Sequence, residues 1–305
     1  MVMTAPQGTT VLGLHEGVAL AYPLVQYVAD SLDVRVLFIK GFVVTEQGLR
    51  PPRTPADVDV IVDPHGLDRL IAGLGAYGWL VQPEPEAPRY FSLHSHNLRH
   101  PDWPCDIDLH WQYPGFYADA QLVFEILWQG RTSLAIAGQP IQVPSIAGNA
   151  CVLAVHAMRN PLEERSGAEV AHLTDQLLNT PLSAHLAEVQ DLAVRLRAQE
   201  TLRPWLSGLG VYPLLDDLTD EERWSWNLRI ESAGTASHHW WVEFISVAWY
   251  RKPLIAARIV VLGIRGSGGS HGALLPRVRS KLQEYRHTRA KLKASRQHAS
   301  SGDSR

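Results

Sequence analysis

Two hydrophobic periods alternate along the first half of the chain. Residues 18–32 repeat apolar side chains at helical spacing, with Val18, Leu20, Leu24, Val25 and Val28 on one side. Residues 34–40, VRVLFIK, form a continuous apolar run that predicts a buried strand, and Gly41 follows where a tight strand-to-helix turn needs a small residue. A short helix over 42–48 should end at Gly48 and Pro51-Pro52. Residues 56–63, ADVDVIVD, alternate with period two. That puts Val58, Val60 and Val62 on one face and Asp57, Asp59 and Ile61 on the other. A helix is expected over 66–77, then short strands over 79–81, 90–98 and 105–111. Past residue 111 the pattern turns helical, at 119–128, 144–158, 166–178 and 184–206, broken by a hairpin over 131–143 with Gly138 in its turn.

This order predicts an α+β protein, a mixed sheet with helices followed by a helical lobe. The expected boundaries are a mixed-sheet core over 15–143, a mainly helical lobe over 144–298 and a disordered tail over 299–305. The 305 residues suffice for one large or two modest domains. The hydrophobic share, 46%, needs no disulfide or structural metal to complete a core. Two cysteines, Cys105 and Cys151, are too few for a secreted disulfide framework, and MVMTAPQGTT lacks a signal-peptide pattern, so a cytoplasmic location is expected. The most apolar stretch, His239–Ile264, is interrupted by Glu243, Arg251, Lys252 and Arg258, and no stable membrane insertion is expected. A net charge of −3 argues against a general polycation that binds nucleic acid. One run, Arg277–Arg296, is strongly basic. It reads as a solvated helix or as a segment that tracks phosphates.

The chemistry concentrates in acids. Asp57 and Asp59 share a strand face, and a second pair, Asp106 and Asp108, lies in the run CDIDLHW. Burying like charges together is costly unless a cation or donors offset them. Mg²⁺ takes hard oxygen ligands and leaves positions for substrate phosphates. If the two strands are neighbours, their acids converge into a metal site. Lys40, Gly41, Arg50 and Arg53 lie just before the first pair. Gly41 would let free backbone N–H groups approach phosphate oxygens, and Arg53 could clamp a phosphate.

The stretches Phe38-Ile39-Lys40-Gly41, Arg53 to Val62 with Asp57-Val58-Asp59 inside it, and Ile107-Asp108-Leu109-His110-Trp111 resemble the uncharacterised bacterial nucleotidyltransferase family of the DNA-polymerase-beta-like superfamily. A Pro-led helix bearing His156, then Leu173-Thr174-Asp175, resembles a later family feature. The resemblance spans roughly residues 35–180. It implies that Asp57, Asp59 and Asp108 are the catalytic acids and bind Mg²⁺ or Mn²⁺, that Lys40, Gly41 and Arg53 hold a nucleoside triphosphate, and that Asp108 serves as base or metal bridge. Asp106 is an extra acid. The superfamily's usual Gly-Ser or Gly-Gly at the first helix is replaced here by Lys40-Gly41-Phe42. The implied activity moves a nucleoside monophosphate from the triphosphate to a small-molecule, peptide or protein acceptor and releases pyrophosphate. RNA as acceptor has only the basic run behind it. Neither the acceptor, the base nor the oligomeric state can be read from the chain.

Other residues admit plainer readings. His110 shares the acids' face and reads as strand-end packing, a partner to an acid or a substrate contact. His94, His96 and His100 have a zinc-like spacing but no cysteine beside them, so a substrate-facing segment fits better. His156 reads as a satisfied core histidine, or as one that reaches the active cleft or bonds to Asp175. Trp224 and Trp226 could line an acceptor pocket. Two competing functions stay open. One is a catalytically silent scaffold of the same fold. The other is an unrelated phosphohydrolase, which would need more histidines near the acids.

Overall fold

The computed structural model describes residues 12–83, 93–161, 163–232, 250, 252–254 and 256. The chain divides into two compact units, Met1–Pro85 with Leu93–Glu222, and Glu86–Ser92 with Arg223–Arg305. Residues 90–92 of the expected strand, the pair His238-His239, most of the 239–264 stretch, the basic run 277–296 and the tail 299–305 lie outside the described residues. Among the described residues, no helix is long and apolar enough to cross a membrane.

The first unit opens with α1 (Leu14–Ser31), which starts a turn earlier than its apolar period and runs through Pro23. Burial of Val18, Ala21, Tyr22, Val25, Val28 and Ala29 along one side outweighs the hydrogen bond that Pro23 cannot donate. Then come β1 (Val36–Ile39), α2 (Gly41–Glu46) and β2 (Asp57–Val62). A 3-10 turn capped by Asp63 leads into α3 (Leu67–Ala76). Three short strands follow, β3 (Leu80–Val81), β4 (Ser95–Arg99) and β5 (Asp106–His110). They build one five-stranded sheet in the order β1-β2-β5-β4-β3. Only the central pair, β2 and β5, is parallel.

The alternation along β2 and β5 divides this sheet. Val58, Val60, Val62, Ile107 and Leu109 pack with α1 and α3 in a continuous core. Their odd-numbered neighbours on β2 and even-numbered neighbours on β5 face the other way, as the period-two reading requires. The hairpin is β6 (Thr132–Ile136) and β7 (Gln139–Val143), joined by Ala137 and Gly138, both at positive φ, the signature of a two-residue primed turn.

The helical part supplies α4 (Ala120–Gln129), α5 (Ile146–Met158), α6 (Glu164–Asn179), α7 (Leu186–Arg195), α8 (Arg203–Gly208) and α9 (Asp220–Ser232). Asp119 and Ser145 cap α4 and α5 through their side-chain oxygens. α5 is buried almost throughout, from Ala147 to Val155, and packs against α6 and α7. The single helix expected over 184–206 is instead a 3-10 turn, α7 and α8. The chain breaks at Arg197, which sits at φ +50, and the Asp217 carboxylate accepts from the N–H groups of Gln199 and Glu200 just beyond. That acceptor comes from twenty residues downstream, so no local pattern announces it. The fold is thus α+β, a mixed sheet followed by helices.

Candidate functional site

The parallel register of β2 and β5 sets Asp57 beside Asp106, Asp59 beside Asp108 and Ile61 beside His110. The two acid pairs therefore sit on adjacent strands and on one face, opposite the valine core. Strand β1 adds Lys40 directly after its last residue, Ile39, which pairs with Asp59.

The acids are not equivalent. Asp59 is nearly buried and takes two partners on one oxygen. Lys40 Nζ lies 2.5 Å from Asp59 Oδ1, and His110 Nε2 lies 3.1 Å from the same atom. His110 Nε2 is also 3.1 Å from Asp108 Oδ2, so one ring nitrogen bridges the two carboxylates. Ligand atoms of Asp59, Asp108 and His110 all fall within 4.8 Å of one another, the one such group among the described residues. Asp108 Oδ1 and His110 Nδ1 are buried with no hydrogen-bond partner. Asp57 stands at the rim, half-buried. Asp106 is turned to other work, since Arg99 on β4 grips it with bonds of 2.9 and 2.8 Å.

The electrostatics follow this placement. Burial alone would raise Asp59, yet Lys40 and His110 hold its carboxyl well below the usual carboxylate range. Burial also works against Asp108, and the His110 bond with help from Ser95 brings it down. Asp57 goes the other way, raised by burial and by the charge on Asp59. Lys40 is penalised by burial but kept above its ordinary range by Tyr113 and Asp59. Burial opposes charge on His110, and Asp108 and Asp59 raise its proton affinity.

Two backbone features fix Lys40. It adopts φ +53, a rare conformation for a residue with a side chain, and Gly41 follows at φ +51. A methyl at Gly41 would stand 2.1 Å from Tyr22 Oη. That hydroxyl already accepts the Phe42 N–H at 3.2 Å. The α2 N-terminus therefore has one of its free donors taken by the protein itself.

These residues open on a cleft of about 380 Å³. Its near wall carries Lys40, Gly41, Asp57 and Asp59. Its far wall carries Arg50 and Arg53 from the loop before β2, His156 from α5, and Glu163, Arg165 and Glu169 from the start of α6. Glu169 pairs with Arg50 at 3.0 Å and lies 3.9 Å from Arg53. Arg50 also donates to the Gly41 carbonyl at 3.1 Å, which ties the two walls together. Burial, with Arg50 and Arg165 close by, lowers the proton affinity of Arg53.

Lys40, Gly41, Arg53, Asp57 and Asp59 line the cleft, and Asp108 joins them through His110. The sequence alone did not reveal Glu163, Arg165 and Glu169, which reach the cleft because α6 packs beside α5 and Glu169 meets Arg50. Of the readings of His156, the structure sets aside the core and opens the ring to the cleft, while Asp175 bonds Asn179. The three histidines of the zinc-like spacing diverge. His94 stacks near His110, His96 lies against Trp111 and His100 lies against Trp79, so no metal group includes them. Trp224 and Trp226 belong to the second unit, and the cleft residues to the first.

A mixed sheet with acids paired in register on its central strands, and helices following it, is the architecture of a nucleotidyltransferase. The chain belongs to the family described as uncharacterised nucleotidyltransferase, whose model matches residues 27–206. Among solved structures, the chain is similar to a crystal structure of an antigenic nucleotidyltransferase-like protein from Paracoccidioides brasiliensis, with 13% identity, 60% of this chain and 93% of that chain covered, and a TM-score of 0.37. It is similar to the antibiotic-resistance factor ANT(2'')-Ia, with 15% identity, coverage of 61% and 94%, and a TM-score of 0.40. The lincosamide antibiotic adenylyltransferase LnuA gives 18% identity, coverage of 51% and 94%, and a TM-score of 0.36. No curated protein matches significantly.

Proposed function

We propose that this nucleotidyltransferase is an active, divalent-metal-dependent enzyme that transfers a nucleoside monophosphate from a nucleoside triphosphate to an acceptor and releases pyrophosphate. The observation that carries this reading is the in-register pairing of Asp59 with Asp108, beside Asp57, at the mouth of an arginine-walled cleft.

The residues fit a divalent cation. Asp57, Asp59 and Asp108 offer hard oxygens, and Asp108 Oδ1 is a buried acceptor that no protein group satisfies. The charge on Asp59 raises the cost of ionising Asp57, a strain that a cation relieves. His110 orients two of the three carboxylates from behind. A bound divalent ion would offset charge on the phosphates and lower the acceptor's pKa.

The cleft's own charges support a metal requirement. Its lining carries four cations, Lys40, Arg50, Arg53 and Arg165, and four carboxylates, Asp57, Asp59, Glu163 and Glu169. Equal numbers leave no positive surplus for a triphosphate arriving alone. The far-wall arginines grip the β- and γ-phosphates, and the acids face the α-phosphate. An acceptor oxygen attacks the α-phosphorus. Its bond forms as the bond to the bridging oxygen of pyrophosphate breaks, and the acceptor's proton passes to a carboxylate of the acid group.

Calorimetric titration with each of the four ribonucleoside triphosphates tests this, with and without Mg²⁺, on wild type and on Asp57→Ala/Asp59→Ala. One triphosphate should bind only with the metal, and the double variant should lose it. Pyrophosphate, not free phosphate, should appear on turnover with the right acceptor. No binding by the folded wild type would favour the silent-scaffold reading, and free phosphate would favour a phosphohydrolase.

A further inference from the structure

His156 is the one imidazole on the far wall of the cleft, and its hydrogen bonding fixes which nitrogen carries the proton. His156 Nδ1 lies 2.9 Å from Arg159 Nη2, one helical turn on. A guanidinium only donates, so Nδ1 must accept. The proton of the neutral ring then belongs to Nε2. Arg159 is itself held in place, donating to Tyr113 Oη at 3.2 Å with its guanidinium 5.0 Å from the centre of that ring. Tyr113 is fully buried and lies under Lys40 as well.

We propose that His156 is a phosphate-binding residue, which uses its Nε2–H to hold a non-bridging oxygen of the triphosphate, with Arg159 as the positioning residue that sets its tautomer. The proposal rests on the nucleotidyl-transfer reading and extends the site to α5. The ring faces the same cleft as Lys40, Arg50, Arg53 and Arg165. A nitrogen that bears a proton cannot ligate a cation, so its complement there is an anionic oxygen. Desolvation within the cleft and the nearby Lys40 and Arg159 charges also lower the ring's proton affinity, which favours a neutral ring that donates without adding charge.

Inorganic tripolyphosphate with Mg²⁺ is the probe, because it needs neither the base nor the acceptor to be known. Titrations would compare wild type, His156→Phe, His156→Gln and Asp59→Ala, each first checked for folding by circular dichroism. His156→Phe keeps the flat ring and loses the donor, and should bind roughly tenfold more weakly or worse. His156→Gln restores an N–H near the Nε2 position and should recover most of the affinity. Long-range ¹H–¹⁵N spectra at pH 7 should show His156 neutral and protonated at Nε2. Wild-type affinity in His156→Phe, with loss in Asp59→Ala, would overturn this inference and leave the activity standing. Equal loss in the Phe and Gln variants would assign the ring to packing, and a charged or Nδ1-protonated ring would also overturn the proposal. A wild type that binds neither tripolyphosphate nor any nucleoside triphosphate would remove the nucleotidyl-transfer reading itself.

Discussion

Asp59→Ala should abolish metal-dependent triphosphate binding and also cost the fold about 3–5 kcal/mol, the usual penalty for breaking a buried ion pair from one side. Both side chains of the Lys40–Asp59 pair are almost fully buried. Removing Asp59 leaves the Lys40 ammonium under Tyr113 without its ion-pair partner. Lys40→Met should be at least as damaging, because Asp57, Asp59 and Asp108 then crowd together without their cation. The double variant Lys40→Met/Asp59→Leu should be more stable than either single one, since it buries no unpaired charge, and it should stay inactive. Urea denaturation of the four proteins measures this. A double variant no more stable than the singles would mean that the pair does not act as a unit. Activity would then have to be explained without it.

Gly41→Ala should be the most disruptive single methyl in the first unit. Alanine at φ +51 costs about 1–2 kcal/mol by itself. Its Cβ would also stand 2.1 Å from Tyr22 Oη, an overlap that a buried ring cannot relieve by rotating away. The expected total is about 3 kcal/mol or more, together with displacement of Lys40 and weaker triphosphate binding. Tyr22→Phe removes the offending oxygen, and the next ring atom, at 3.5 Å, makes an ordinary contact. The pair Tyr22→Phe/Gly41→Ala should therefore lose less than the two single changes added together. Thermal unfolding of the three variants gives the coupling, and simple additivity would show that the hydroxyl is not the obstacle.

Much of this was legible before the fold. Period two in ADVDVIVD and CDIDLHW gave the face of every acid, because side chains alternate whatever the strand pairs with. Pairing itself was not legible. Nothing local says that β2 and β5 are neighbours, or that Arg99 occupies Asp106. Long-range partners explain the other omissions too. Glu169 matters through Arg50, 119 residues away, and Tyr113 through Lys40 and Arg159. The core reading of His156 was favoured over the cleft because α5 is apolar on almost every side, so its period offered no outer face. The break at Arg197 was hidden for the same reason as the cleft's far wall, a partner distant in sequence.

The rungs shared by β2 and β5 have a wider consequence. Neighbouring strands lie about 4.8 Å apart because backbone hydrogen bonds hold them there, whatever side chains they carry. The acids thus take their separation from a ruler made of main chain. The opposite wall has no such ruler, being built from a loop and two helix segments. A change that shifts α5 or α6 should therefore loosen the hold on the β- and γ-phosphates while the spacing of the acids around the reacting phosphate stays fixed.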